Sequence, residues 1–250
     1  WSRADGAGRQ RLCLQFSAPA EPPQAVLPRG RPIAYDFDLF GQAGQNQALD
    51  ETPLAALRCT VFDTETTGLR PGEGDEIISL GAVRIVNGRL LEHETFDRRV
   101  RPRRAVRASA EAVHGLSTAA LAGEPPLEEV LPGFARFCDD TVLVAHNAAF
   151  DMRFLELAHE RTGVRFDQPV LDTMLLSAAV LPAHGSDEHH LEQIAARLGV
   201  PVTGRHQALG DALTTARVLL KLLPLLAERG IVTLGQARAA SQRAASAQHE

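Results

Sequence analysis

An α/β domain built on a mixed β-sheet is the fold class this sequence predicts, and three patterns carry that expectation. Residues 58–63 and 76–86 are short runs of β-favouring apolar residues. Asn87-Gly88 is a strong signal for a two-residue hairpin, and it leads into a third run over 89–100. Beyond that hairpin, short apolar strands at 142–145 and 170–173 alternate with helical stretches. Strands joined by hairpins, followed by strand–helix alternation, imply one sheet of mixed pairing flanked by helices.

The helices follow from their periodicity. Phe150, Phe154, Leu155 and Leu157 form an apolar stripe over 150–161. Shorter helical stretches are expected near 109–114 and 127–138, and another runs from the fifth strand through Val180. Residues 191–198 close on Gly199 as a C-cap, and the leucine-rich stretch 211–228 is the longest helix. No internal repeat is present.

At 250 residues and 27.0 kDa, the chain has room for one large domain with appendages or for two small ones. The organisation expected is an extended arm or linker over 1–57, the tail of a longer protein, then a domain over 58–228 and a helical tail over 229–250. A proline-rich stretch over 18–24 lacks periodicity and reads as linker, while 12–16 could form a short strand. Tyr35-Asp-Phe-Asp-Leu-Phe40 is the apolar segment of the arm, read either as packing on the domain or as a docking peptide. The chain opens on Trp1 rather than Met, consistent with a piece of something longer.

An apolar fraction of 44% supports a real core, and a net charge of −5 argues against bulk electrostatic capture of nucleic acid. Lys221 is the only lysine, so positive charge rests on arginine. Cys13, Cys59 and Cys138 have no CxxC spacing, which fits a reducing compartment and a cytoplasmic location. No apolar run approaches the roughly 20 residues that span a bilayer.

The chemistry gathers around Cys59-Thr-Val-Phe-Asp63-Thr-Glu65-Thr-Thr-Gly-Leu69. Side chains two apart on a strand share a face, so Asp63 and Glu65 project together. Adjacent acids repel unless a cation lies between them, and hard ions such as Mg²⁺ or Mn²⁺ suit carboxylate oxygens. Asp151 falls one turn into the helix after the fourth strand, with Asn147 suited to cap that helix. Alone, Asp151 reads as a complement to the helix dipole. His206 and Asp211 lie five apart, a spacing that splays them on a helix. They converge only if His206 sits in the preceding loop, for which Gly204 and Gly210 give latitude.

The order Asp63-x-Glu65, Asp151, His206-x4-Asp211 resembles the DEDDh 3′–5′ exonucleases, the family of the proofreading epsilon subunit of bacterial DNA polymerase III. The match runs over about 58–228. It includes Phe62-Asp-Thr-Glu-Thr-Thr-Gly-Leu69, Val113-His-Gly-Leu116, Ala145-His-Asn-Ala-Ala-Phe-Asp151 and His206-Gln-Ala-Leu-Gly-Asp-Ala212. The resemblance implies a ribonuclease H-like three-layer fold around a mixed five-stranded sheet. It implies that Asp63, Glu65, Asp151 and Asp211 hold two Mg²⁺ or Mn²⁺ ions around the scissile phosphate, with His206 taking the proton of the attacking water. Thr66, Leu69, Val113 and His114 would grip the terminal nucleotide, with Asn147 a further contact.

The function expected is release of nucleoside 5′-monophosphates from single-stranded or frayed DNA 3′ ends. An exoribonuclease or oligoribonuclease is the alternative within the class, because nothing in the motifs reads the 2′-hydroxyl. A non-catalytic nucleic-acid-binding module is the alternative outside it. Partners in view are a polymerase or, through the Asp36–Phe40 peptide's likeness to clamp-binding motifs, a sliding clamp. The tract from Arg31 to Phe40 also resembles segments that precede exonuclease domains in multidomain bacterial proteins. Arg98, Arg99, Arg101, Arg103, Arg104 and Arg107 form the densest basic run, read either as a phosphate track or as a solvated edge. His184, His189 and His190 match no zinc spacing; the last of them read as a helix start.

Overall fold

The structure is a computed structural model that describes residue 31, residues 47–181 and residues 189–247. The stretches expected at 12–16, 18–24 and 35–40, together with His184, lie outside the described residues.

Five strands form one sheet in the order β3-β2-β1-β4-β5. β1 (Arg58–Thr66), β2 (Ile77–Val86) and β3 (Arg89–Arg99) make an antiparallel meander. Asn87 and Gly88 turn the β2–β3 hairpin with positive φ at both positions, 51° and 70°, as its two-residue loop requires. β4 (Val142–Ala145) and β5 (Val170–Asp172) add in parallel on the other side of β1. The sheet is thus mixed and five-stranded, as expected, with β1 at its centre. β1 runs three residues further than its apolar stretch because Thr64, Glu65 and Thr66 continue the ladder with β2.

Besides a one-turn helix at Gln47–Asp50, seven helices surround the sheet among the described residues: α1 (Ala108–His114), α2 (Leu127–Phe137), α3 (Ala148–Thr162), α4 (Thr173–Val180), α5 (Leu191–Arg197), α6 (Ala208–Glu228) and α7 (Leu234–Ala247). Eight of the nine β1 residues are buried, as in a strand covered on both faces. Strand alternation divides them. Val61 faces the cluster that α6 completes with Leu219, Leu222 and Leu226. Phe62 faces the opposite cluster, built with Leu131 and Phe134 of α2 and with Phe154 and Leu155 of α3. By the same alternation Asp63 and Glu65 emerge on the α6 side, and Thr64 on the α3 side. The ends of two opposed core layers therefore become the two walls of one site.

α7 packs through Leu234, Ala237, Ala240 and Ala245, and its buried Arg238 pairs with Asp50 at 3.0 Å. A one-residue bridge, Pro53 to Thr233, ties the approach to β1 to this C-terminal element. Cys59 and Cys138 are buried free thiols. Among the described residues no helix is long and apolar enough to cross a membrane.

Phe134 is fully buried, with the rings of Phe62, Phe96 and Phe166 at 5.6, 5.4 and 5.5 Å between centroids. Phe134→Ala should therefore cost about 3–5 kcal/mol, read as a lowered urea midpoint.

Candidate active site

The site is built where β1 and β4 end, at the carboxyl edge of their parallel pair. Asp63 stands opposite Gly81 of β2 in the ladder. A Cβ on Gly81 would overlap the backbone of Ala208 and Leu209, so the first turn of α6 rests directly on the sheet beside Asp63. That contact brings Asp211 over the strand. Oxygens of Asp63, Glu65 and Asp211 all lie within 4.8 Å of one another. His206 occupies the turn ahead of α6, at φ 57°, and its backbone N–H donates to Asp211 Oδ2 at 2.9 Å. Gly210 packs against the backbone of Thr203 and Gly204, where a side chain would not fit. The loop position that the His206–Asp211 spacing demanded is the one found.

Asp151 approaches from the α3 wall and is fully buried. Its Oδ1 accepts from the Thr64 N–H at 3.1 Å and from the Thr64 hydroxyl at 2.5 Å. It is therefore more than a complement to the helix dipole. Asn147 does occupy the N-cap position of α3, but in left-handed backbone (φ 61°) and without a side-chain capping bond. The cap comes from Asp172, whose carboxylate accepts from the N–H groups of Asn147 at 3.0 Å, Ala148 at 2.9 Å and Met174 at 2.8 Å. Asp172 thus pins the starts of α3 and α4 together and sets the helix that carries Asp151. Burial pushes its carboxyl up to about 6, and the backbone donors restrain the rise.

Arg31 completes the cluster. Its Nη1 lies 2.6 Å from Asp63 Oδ1 and 3.5 Å from Asp151 Oδ1, and its Nη2 lies 3.3 Å from Glu65 Oε2. Even so, burial pushes Glu65 and Asp151 up to about 7, with Arg31 pulling down and Asp63 pushing further up. Burial, then Asp63 and Glu65, push Asp211 up to about 8. Glu65 Oε1 and Asp151 Oδ2 are buried with no hydrogen-bond partner. Crowded carboxylate oxygens with unfilled acceptor capacity fit a hard divalent cation, and no soft donor is among them. Burial, followed by Arg205, lowers the pKa of the half-buried His206, which favours a neutral imidazole. A cavity of about 110 Å³ opens between Asp63, Asn147, His206 and Asp211.

Of the residues expected to seat the nucleotide, Asn147 lines that cavity, whereas Thr66, Leu69, Val113 and His114 stand outside its lining. Thr66 ends β1 with its hydroxyl donating to Gly68 O, and Leu69 is 44% exposed. His114 ends α1: its Nδ1 accepts from the Leu116 N–H at 3.1 Å, which leaves Nε2 to donate to Thr66 O at 3.2 Å. Val113 is half-buried one residue earlier. His146 bonds to Thr173 and to His189 O, and burial lowers it to about 4, so it acts in packing the strand end. His189 bonds to Ser177, and His190 stands at the N-cap position of α5.

Four of the six arginines of the run are engaged in structure: Arg98 donates to the Asp97 carbonyl at 2.7 Å and stands over the Phe96 ring. Arg103 pairs with Glu76 at 2.9 Å, and Arg104 and Arg107 pair with Asp75 at 3.3 and 3.1 Å. Asp75 also accepts from the Thr67 hydroxyl and the Arg70 N–H, so these arginines brace the turn that follows Thr66. Burial would raise Asp75, but the Arg70 N–H and Arg107 hold it below the usual carboxylate range. A second cavity, about 480 Å³, lies beside Glu76, Arg103 and Arg161, apart from the carboxylate cluster. Sequence reasoning missed Arg31, Thr64 and Asp172. Only Asp172 carried a local signal, an acid placed to cap the helix after β5.

The mixed five-stranded sheet flanked by helices is of the ribonuclease H-like class. The exonuclease family model, RNase_T, matches residues 60–219, and the chain belongs to that exonuclease family. It is 46% identical over 241 residues to a DNA polymerase III subunit epsilon-like protein of Rhodobacter capsulatus, covering 94% of this chain and 34% of that protein. It is 34% identical over 189 residues to the PolC-type DNA polymerase III of Thermotoga maritima, covering 75% of this chain and 13% of that one. The chain therefore spans about a third or less of the length of these relatives. Among solved structures, exonuclease X in complex with 5′-overhanging duplex DNA aligns with TM-score 0.58 and 25% identity, over 73% of this chain and 99% of that one. The nuclease domain of 3′hExo, a DEDDh family member bound to rAMP, shares the fold with TM-score 0.57 and 16% identity, over 72% and 96% of the two chains.

Two outcomes follow from this geometry. Gly81→Ala should lift the α6 start off the sheet, costing about 1–3 kcal/mol or more in a denaturant melt, with loss of exonuclease activity as Asp211 moves. The raised Glu65, Asp151 and Asp211 hold protons in the folded state that the unfolded chain, with carboxyls near 4, has released. Folded protein binds more protons than unfolded between about pH 4 and about pH 8, so metal-free stability should fall as pH rises through that window. Urea midpoints in EDTA across that range measure it, and a divalent cation should flatten the trend.

Proposed function

We propose that the chain hydrolyses phosphodiester bonds at DNA 3′ ends, from single strands or frayed duplexes, and releases nucleoside 5′-monophosphates in a two-metal, histidine-assisted reaction. The observation that carries this reading is the grouping of Asp63, Glu65 and Asp211, with Asp151 held to Thr64 of the same strand and His206 on the adjoining turn. The four acids would hold two Mg²⁺ or Mn²⁺ ions. Such ions, when bound, lower the pKa of a water and stabilise the departing 3′-oxygen. His206, kept neutral, takes the proton as the water oxygen bonds to phosphorus and the bond from phosphorus to the 3′-oxygen breaks. The backbone bond from His206 to Asp211 keeps base and carboxylate in fixed relation.

Thr66, exposed Leu69, Val113, His114 and Asn147 would seat the terminal nucleotide against this cluster. A DNA substrate is favoured by the 25% identity to exonuclease X, which was solved on DNA, and by the polymerase III relatives. The same relatives support a polymerase contact, a role in proofreading or repair, and a cytoplasmic setting. In this reading residues 58–228 are the exonuclease domain, 1–57 the arm and 229–250 the helical tail.

End-labelled single-stranded DNA and RNA, incubated with Mg²⁺, Mn²⁺ or EDTA, test the proposal. Stepwise shortening from the 3′ end of DNA, abolished by EDTA and lowered more than about 100-fold in Asp211→Ala, is the expected result, since losing a residue that merely orients a metal ligand already costs about 10–100-fold. Faster shortening of RNA would reverse the substrate assignment. Binding with no metal-dependent cleavage would make the chain a passive module.

A further inference from the structure

Arg31 lies outside the sheet and helices, far upstream of β1 in sequence, yet its guanidinium sits among the acids proposed to bind metal. It donates from Nη1 and Nη2 to the two oxygens of Asp63 at 2.6 and 3.1 Å, a bidentate fork. Nη2 also donates to Glu65 Oε2 at 3.3 Å and to the Thr64 carbonyl. Nη1 stands 3.5 Å from Asp151 Oδ1, and the guanidinium carbon lies 5.3 Å from the centre of the Phe150 ring. One side chain thus engages three of the four acids.

We propose that Arg31 is a tethered cationic stopper that holds the carboxylate cluster in the metal-free protein and competes with divalent ions for it. The proposal rests on the two-metal reading above. Buried carboxylates in this number must either hold protons or take a counter-charge, and guanidinium matches carboxylate geometry while remaining charged at every relevant pH. Being on the same chain, it reaches the site at a high effective concentration. It is also an imperfect occupant, because Glu65 Oε1 and Asp151 Oδ2 are left without partners. A planar fork cannot fill those acceptors, whereas hard cations draw oxygens from several directions. Arg31 and metal ions need the same oxygens of Asp63 and Glu65, so each excludes the other. Arg31 also walls the cavity beside His206 and Asp211, so its departure opens that space.

Direct Mn²⁺ titration without nucleic acid, following the free-ion electron paramagnetic resonance signal, compares the full 250-residue chain with Arg31→Ala and Arg31→Lys. Arg31→Ala should bind Mn²⁺ about tenfold more tightly, because a site blocked most of the time loses apparent affinity in proportion. Arg31→Lys, which keeps the charge but loses the fork, should fall between. In EDTA, Arg31→Ala should melt about 2–4 °C lower than wild type, and saturating Mn²⁺ should remove the difference. Equal or weaker Mn²⁺ affinity in a folded Arg31→Ala overturns the stopper alone. If neither wild type nor variant binds Mn²⁺ at millimolar concentration, the two-metal reading itself is overturned.

Discussion

Everything in this molecule depends on keeping several carboxylates close together at the buried end of a strand. Asp63, Glu65 and Asp211 converge within a few ångströms, and Asp151 stands behind them in a fully buried position. Mutual repulsion and lost hydration both oppose that arrangement, and the upward push on Glu65, Asp151 and Asp211 records the cost. Clustering of this kind persists only if the rest of the fold imposes it.

The fold imposes it from two opposed directions. Alternation along β1 sends Asp63 and Glu65 toward α6 and Thr64 toward α3, so neighbouring residues of one strand serve different walls. On the α6 wall, Gly81 and Gly210 remove side chains where backbone must touch backbone, which brings Asp211 and His206 inward. On the α3 wall, Asp172 binds the first N–H groups of the helix and Thr64 receives Asp151. The rim is braced separately: Arg104 and Arg107 grip Asp75, which in turn holds Thr67 and Arg70. Much of the arginine that might have faced a phosphate backbone is spent on that turn.

Membership of the exonuclease family is consistent with this construction, and the similar proteins include polymerase III proteins, a DNA-bound exonuclease and an rAMP-bound one. The acids are presented on a strand and on helix starts rather than on long loops, which holds their positions more tightly than loops would. The basic arm residue Arg31 adds a feature that the catalytic motifs do not contain. It gives the cluster a cation of its own chain.

The mixed five-stranded sheet, the hairpin at Asn87-Gly88, the shared face of Asp63 and Glu65, and the need for His206 to precede its helix were all legible in the sequence. Each is a local consequence of residue type and periodicity, and motif order supplied the family. Asn147 was legible as a helix-start residue, but not the left-handed backbone that leaves the capping to Asp172. Arg31, Thr64 and the bracing role of Arg104 and Arg107 were decided only by tertiary structure. Their partners lie 32 or more residues away for Arg31, 87 for Thr64 and about 30 for the bracing arginines. Electrostatic pairing depends on distance in space, and no periodicity along the chain encodes which distant charge the fold will bring near.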